Sequence, residues 1–415
     1  MITNNKFLFK FLVIFFILLI FPFPLDVLPK FDLLEELIPN VYHTIVLWLG
    51  EHVLKLEEPI KFHESGSGDK TYDYVLLVFI FIIAVVGSII WSLLVKKDRS
   101  YEKLNYWFLV LVRYFLGSTM ILYGIIKVIP LQFGEIAFWR LLQPYGDSSP
   151  MGMAWTFLGH SKGYNLFIGL AELIGGILLF HRRTTLLGGL ILIPVTANIV
   201  AINFFFDVPV KLYSSQLLLM SIIVVSPDLK RLFNLIILNK PTNEKKFKSP
   251  YKSKKWILGA NILKWAIVLF LLFDSLSYGL GTNRPKVEKP ELYGLYEVNL
   301  FIRNQDTIPP ILNDDKRWRH VFFEYSNSIQ FSTMAKGRYG LNSKIDTVQN
   351  KIILTEYRDS TAMYVLDYKK TDSTLNISGV FRKDTIFCET KRLDKKDFRL
   401  TSRGFNWVNE YPYNR

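Results

Sequence analysis

Hydrophobic residues gather into runs about as long as a membrane span. The runs are Phe7–Phe21, Tyr74–Val95, Leu104–Ile129, Asn165–Phe180, Leu186–Phe206, Val210–Val225 and Trp256–Leu280. A helix needs about 20 apolar residues to cross the ~30 Å hydrocarbon core of a bilayer. The pattern therefore predicts an α-helical membrane bundle of about seven transmembrane helices. No small-x-small cleavage site follows the first run, which favours an uncleaved helix over a signal peptide. Leu33–Leu56 is amphipathic and is expected to lie along the outer membrane face. Pro130–Tyr164 is polar and aromatic without a clear period and reads as an irregular loop.

From Thr282 onward the period changes to two. Glu297–Arg303, His320–Tyr325, Ile352–Tyr357, Ala362–Tyr368, Leu375–Phe381 and Thr385–Thr390 alternate apolar and polar side chains between Asp, Asn, Gly and Ser. Such runs are half-buried antiparallel strands. Seven or eight of them predict a small antiparallel β-barrel or sandwich. The end of the chain, Arg403–Arg415, is expected to be a last strand that folds back to cap this domain, the alternative being a recognition surface. Four regions follow. Residues 1–103 carry two transmembrane helices and the amphipathic segment, and 104–235 a four-helix membrane core. Residues 236–281 carry a basic linker and the seventh helix, and 282–415 the soluble β-rich domain.

The net charge of +14 would suit nucleic acid. The cations, however, sit in short segments beside the apolar runs, and no nucleic-acid-binding signature accompanies them. Lys6, Lys96–Lys103, His181–Arg183 and Lys230–Lys255 flank alternate ends of the runs, while 24–73, 130–164 and 207–210 are poor in Lys and Arg. Cytoplasmic loops carry the excess of Lys and Arg. This predicts a multi-pass protein of the bacterial inner membrane, with the N-terminus cytoplasmic and the C-terminal domain extracytoplasmic. The lipid bilayer is the expected partner, with a possible protein partner for the outer domain and no nucleic acid.

The single cysteine, Cys388, excludes an internal disulfide or a dithiol redox centre. None of the six histidines lies centrally in a hydrophobic run, so a paired-histidine haem is not expected. No nucleotide, hydrolase or zinc-protease motif is present. No metal site, catalytic residue or cofactor is evident.

Arg113-Tyr-Phe-Leu-Gly117 with Tyr123-Gly-Ile-Ile-Lys127, and Gly169-Leu-Ala-Glu172-Leu-Ile-Gly-Gly176 with Arg182-Arg183, resemble signatures of the DoxX-like membrane protein family. The resemblance covers about 104–235. Gln143–Pro150, Asn198–Val210 and Arg403–Arg415 are similar to a longer bacterial subgroup with extra flanking helices and a β-rich tail. The resemblance implies a four-helix core and distant kinship with subunits of quinone-linked sulfur oxidation. It carries over no activity, and the cysteine pairs of related thiol oxidoreductases are missing.

Ionisable groups inside a membrane helix cost about 2.5–3.5 kcal/mol near its centre, so each needs a reason. Arg113, Gly117, Met120, Gly124 and Lys127 step by four, three, four and three along one helical seam. Gly169, Glu172 and Gly176 form a second seam, and glycines there let a neighbouring backbone come close. Glu172 and Asn198 lie at similar depth, with either Arg113 or Lys127 able to reach the carboxylate. A polar cavity in the outer half of the bundle is expected, lined by Lys127, Glu172, Asn198 and Asn203. Asp207 and Lys211 would form its rim, and Arg140, Tyr145, Trp155 and His160 its cover. Together with Arg113, these make the candidate ligand site for a small molecule or a lipid or quinone headgroup. The competing reading is that the same groups only hold the helices in register. An accessory subunit of a quinone-linked oxidoreductase and, below it, a small-molecule or ion transporter complete the alternatives. For the transporter, no inverted repeat is visible.

Overall fold

The computed structural model describes residues 5–24, 32–61, 66–95, 100–244, 253–280, 289–359 and 361–414, with the backbone alone for 32–39, 275, 278 and 279. The chain divides into two units, Met1–Phe133 with Ser149–Thr282, and Gly134–Ser148 with Asn283–Arg415.

The first unit is helical. Its helices are α1 (Lys6–Ile20), α2 (Asp32–Trp48), α3 (Thr71–Leu94) and α4 (Glu102–Val128). Beyond the segment given to the second unit, which carries α5 (Phe138–Leu142), come α6 (Pro150–His160), α7 (Lys162–Leu179) and α8 (Thr185–Phe205). Then follow α9 (Lys211–Val225), α10 (Leu229–Leu232) and α11 (Lys254–Gly279). Six stretches are long and apolar enough to cross a membrane: Thr71–Leu94, Glu102–Val128, Lys162–Leu179, Thr185–Phe205, Lys211–Ile237 and Lys254–Asp274. The protein is an integral membrane protein. The first predicted span, α1, has 15 residues, which rise about 22 Å, short of the hydrocarbon thickness. It compensates by burial: Phe9, Val13, Phe16 and Ile20, on one face, pack into a cluster with Phe108, Val112 and Leu116 of α4. The cation clusters at 96–99 and 245–252, which carried much of the topology argument, lie outside the described residues.

The segment 130–164 is more regular than its sequence suggested. Ser149 accepts from the Gly152 backbone N–H, and Pro150 occupies the first turn of α6. A capping serine followed by proline is a helix start, and the aromatic residues around it masked the signal.

Helices α4 and α7 run antiparallel along their glycines. A Cβ placed on Gly124 would stand 2.7 Å from the Leu173 nitrogen and 2.8 Å from the Gly169 oxygen. One on Gly176 would meet the Gly117 oxygen at 2.9 Å. Two heptad-spaced glycine pairs thus interlock, and the backbones touch where any side chain would hold them apart.

The second unit is a closed antiparallel barrel. Its strands are β1 (Gly294–Arg303), β2 (Asp306–Thr307), β3 (Trp318–Tyr325), β4 (Ser328–Thr333) and β5 (Arg338–Asp346). β6 (Lys351–Thr355), β7 (Met363–Lys370), β8 (Thr374–Phe381) and β9 (Asp384–Leu393) follow. Each strand from β3 to β9 pairs with its sequence neighbour, and β1 pairs with both β3 and β9, which closes eight strands. β2 only extends the β1 turn. Trp318, Phe323, Phe331, Leu341, Ile352, Leu354 and Ile377 fill the interior. β4 and β5 had no place among the sequence strands, because Thr333 and Ser343 put polar side chains at inward positions and dilute their alternation.

Period two fails at β1 and β3, where both faces are buried. Leu295 and Phe322 are paired across the two strands and face outward, against Phe138 of α5. The segment 134–148 is thus part of the barrel unit. The Phe138 N–H donates to Glu324 Oε1 at 2.7 Å, and Trp139 lies between the guanidinium groups of Arg140 and Arg338, each 4.3 Å from its ring centre. Ion pairs Lys395–Glu135 (3.3 Å) and Lys336–Asp147 (3.6 Å) hold its ends.

The expected capping strand at the chain end is not formed. After α12 (Arg399–Ser402), residues 403–414 adopt no strand, and Phe405, Trp407 and Tyr411 are exposed. The reason is topological: β9 already pairs with β1, so the barrel has no free edge to accept another strand.

Candidate functional site

A cavity of about 390 Å³ opens in the helical unit between α4, α6, α7, α8 and α9. Its wall is mostly apolar and aromatic, including Met120, Phe133, Trp155, Phe167 and Leu217. Lys127, Glu172, Asn198 and Asn203 all line it.

Lys127 Nζ and Glu172 Oε2 are 2.7 Å apart, with 5% and 1% of the two residues exposed. The glycine seam positions the pair. A Cβ on Gly169 would reach Lys127 Cβ at 3.0 Å, and Glu172 lies one turn further along α7. The ammonium also lies 5.2 Å from the centre of the Tyr123 ring. A desolvated ion pair at the edge of an apolar cavity offers strong, directional hydrogen bonding to a polar group that enters.

The two asparagines differ. Asn203 is buried, and its side-chain N–H donates to the Val210 carbonyl at 3.4 Å, so it closes the turn between α8 and α9. Asn198 faces the cavity, is exposed, and has no hydrogen-bond partner among the described residues. Gln132 Oε1 also belongs to this wall and is buried with no partner among the described residues. Pro194 interrupts α8 beside Asn198, and proline frees the carbonyl four residues before it.

Arg113 and Asp207 are not in this wall. Arg113 lies near the opposite end of α4, where it donates to Thr185 Oγ1 at 3.2 Å. It lines a separate cleft with Arg182, Arg183 and Lys264. The antiparallel seam excludes it from Glu172, because Gly117, one turn away, already packs against Gly176 and Phe180. Asp207 is exposed, in a left-handed turn with φ of 52°, and pairs with Lys211 at 2.8 Å. Of the expected cover, Trp155 lines the cavity. Arg140 and Tyr145 belong to the second unit, and His160 is exposed at the end of α6.

One residue had no sequence signal. Asp69 accepts from the backbone N–H groups of Lys211 (2.8 Å) and Leu212 (3.0 Å), and Lys211 Nζ is 3.8 Å from its carboxylate. The first turn of α9 is therefore capped by a carboxylate remote in sequence. A carboxylate at a helix N-terminus satisfies orphan donors and complements the dipole. Its local N-cap residue is Val210, which supplies no such group.

No family model matches the chain, and no solved structure does. Over 126 residues it is 36% identical to the uncharacterized protein YwoB of Bacillus subtilis (strain 168), a stretch that is 30% of this chain and 78% of that protein. Through that stretch the chain belongs to the same family as YwoB.

Proposed function

We propose that this protein is a membrane-embedded binding protein for a small amphipathic molecule held in the α4–α6–α7–α8–α9 cavity. The observation that carries the reading is Asn198. An amide inside a membrane-spanning helix with no partner is costly, and this one lies in a cavity wall with a second acceptor unpaired among the described residues, Gln132 Oε1, and a buried ion pair. An occupant with a hydrogen-bonding head would satisfy these groups, and its apolar body would rest on Phe167, Trp155 and Leu217. The volume lies within the ~300–1,000 Å³ of small-molecule sites.

A DoxX-like four-helix core, α4 with α7, α8 and α9, is part of this proposal and is supported by the two interlocked glycine seams. So is the orientation: the Lys6 end of α1 and the His181–Arg183 turn in the cytoplasm of a bacterial inner membrane, the cavity and the barrel toward the outside. A quinone is one occupant of suitable chemistry. Its carbonyls would accept from Lys127, and Glu172 would exchange protons with the head, which is the accessory-subunit reading. The barrel, with exposed Phe405, Trp407 and Tyr411 beyond it, is the proposed contact for a protein partner outside the cell.

Mass spectrometry of small molecules retained by the purified full-length protein in mild detergent tests the reading. Asn198→Leu is the informative variant, because among the described residues the Asn198 side chain makes no hydrogen bond that it would remove. A compound present in the native protein and lost from this variant supports the proposal. Equal small-molecule content in both, with the fold intact, argues for a purely structural polar cluster.

A further inference from the structure

The cavity between α4, α6, α7, α8 and α9 opens on the side of α7 and α8. Met120, Lys127 and Leu217, all buried, form its back on α4 and α9. The exposed members of its wall, Tyr164, Phe167, Pro194 and Asn198, stand on α7 and α8. These two helices pack tightly near the turn that joins them. A Cβ on Gly175 would stand 2.6 Å from Leu192 Cδ2, and one on Gly188 2.9 Å from the Gly175 oxygen. Beyond Leu192, α8 carries no glycine and is interrupted by Pro194. There the gap between the helices is the mouth of the cavity.

The helical rise gives the depth of this mouth. Asn198 lies seven residues from the Phe205 end of α8, and Phe167 five from the Lys162 end of α7, about 10 Å and 8 Å along the helices. Both helices are long and apolar enough to cross a membrane, whose hydrocarbon core is about 30 Å thick. The mouth therefore opens on acyl chains rather than on water. Tyr164 packs against Phe157 and Phe167, with ring centres 5.7 Å and 6.3 Å apart. Phe157 and Phe167 are exposed, so this aromatic row carries the apolar wall outward beside the mouth.

The polar groups inside select the head. Among the described residues, Lys127 and Glu172 are the charged members of the wall, and they offset each other at 2.7 Å. A further charge brought in would give up its hydration and find no counterion. The groups left to satisfy are the Asn198 amide, which both donates and accepts, and the Gln132 Oε1 acceptor. A hydroxyl donates one hydrogen bond and accepts two, so a single such head serves both.

Resting on the binding role of this cavity, we propose that its occupant is an uncharged lipid with a hydroxyl head, which enters sideways from the bilayer between α7 and α8. The head meets Asn198 and Gln132 beside the ion pair, and the chain leaves over Tyr164 and Phe167 into the membrane.

The test uses full-length protein, delipidated and reconstituted into phosphatidylcholine vesicles. A nitroxide is attached at Phe167→Cys, Cys388 being fully buried. It is expected to collide several-fold more often with dissolved oxygen than with a water-soluble nickel chelate, and the reverse order overturns sideways entry. Oleyl alcohol carrying a diazirine in its chain reads binding. Saturable crosslinking to residues 155–167 is expected, displaced roughly tenfold more effectively by oleyl alcohol than by oleate or phosphatidylglycerol. Asn198→Leu should weaken it several-fold, and Gln132→Leu should do the same if the first variant fails to fold. Equal displacement by oleate or phosphatidylglycerol, or undiminished labelling of the folded variants, overturns the hydroxyl head and leaves the cavity a binding site. Absence of saturable labelling overturns this inference alone if a copurifying compound is still lost from Asn198→Leu. If no such compound exists, the binding role falls with it.

Discussion

The Lys127–Glu172 pair gives the sharpest quantitative expectation. Lys127→Met removes the ammonium 2.7 Å from a carboxylate that is 1% exposed, and no other cation lines that cavity among the described residues. Breaking one side of a buried pair costs about 3–5 kcal/mol. An independent bound comes from neutralisation. Protonating a carboxyl of ordinary pKa, about 4.3, at pH 7 costs about 3.7 kcal/mol, so the loss saturates there. Both routes give about 4 kcal/mol, a melting shift of roughly 10 °C for a unit of this size. Lys127→Met/Glu172→Gln leaves no charge and is expected to recover to within about 1 kcal/mol of the native protein. At pH 5 the single variant should lose only about 1 kcal/mol, since protonation is then nearly free. Thermal unfolding of the full-length protein in maltoside micelles at pH 7 and pH 5 measures all three. A Lys127→Met loss below 1 kcal/mol at pH 7, or a double variant no better than the single, would refute the claim that charge pairing holds this site.

Three other outcomes follow from the packing. Gly124→Val drives a branched side chain into the Leu173 nitrogen and Gly169 oxygen, both under 3 Å from a bare Cβ. A loss of about 3 kcal/mol or more in the same melting assay is expected, and an unchanged melting temperature would deny the seam. Phe138→Ala empties the pocket formed with Leu295 and Phe322 and should cost about 3 kcal/mol, seen as faster chymotryptic cleavage at the exposed Tyr145. His320 is buried, and burial, with the Arg319 charge, lowers its pKa from 6.5 to about 4. The unfolded chain therefore takes up a proton below pH 6.5 that the folded barrel refuses. Its stability contribution is complete above 6.5 and lost as pH falls toward 4, by up to about 3 kcal/mol. Corrected hydrogen exchange over residues 318–333 should show this slope, and His320→Gln should flatten it.

Where the sequence was legible, the reason is periodicity. The four-three spacing from Arg113 to Lys127 and the Gly169, Glu172, Gly176 triplet sit on faces that do meet. The choice between Arg113 and Lys127 was also latent there. Pairing the two glycine couples antiparallel puts Gly124 against Gly169, and the cation one turn beyond Gly124 is Lys127. The illegible parts depend on distant partners. Asp69 caps a helix that begins 142 positions later, and Phe138 joins a strand pair whose Glu324 is 186 positions away. Outward-facing Leu295 and Phe322 broke the strand pattern because another segment covers them. The tail aromatics misled, since alternation says a strand could form but not whether an edge is free.

The shared unit of segment 134–148 and the barrel supplies a check on topology that charge alone does not. Four apolar stretches separate them in sequence: Lys162–Leu179, Thr185–Phe205, Lys211–Ile237 and Lys254–Asp274. An even number of crossings returns the chain to the side it left, which is what packing Phe138 on β1 and β3 demands. An odd number would tear the unit apart. The expectation is testable because the native thiol is silent: Cys388 is fully buried, and burial pushes its pKa up to about 12. Tyr145→Cys and Trp407→Cys, at positions 79% and 90% exposed, should both react with an impermeant maleimide in right-side-out vesicles. Arg183→Cys should react only in inside-out ones. Labelling of 145 and 407 from opposite sides would break the crossing count. Labelling of both from the cytoplasmic side would keep the count and reverse the orientation that lysine and arginine placement implies.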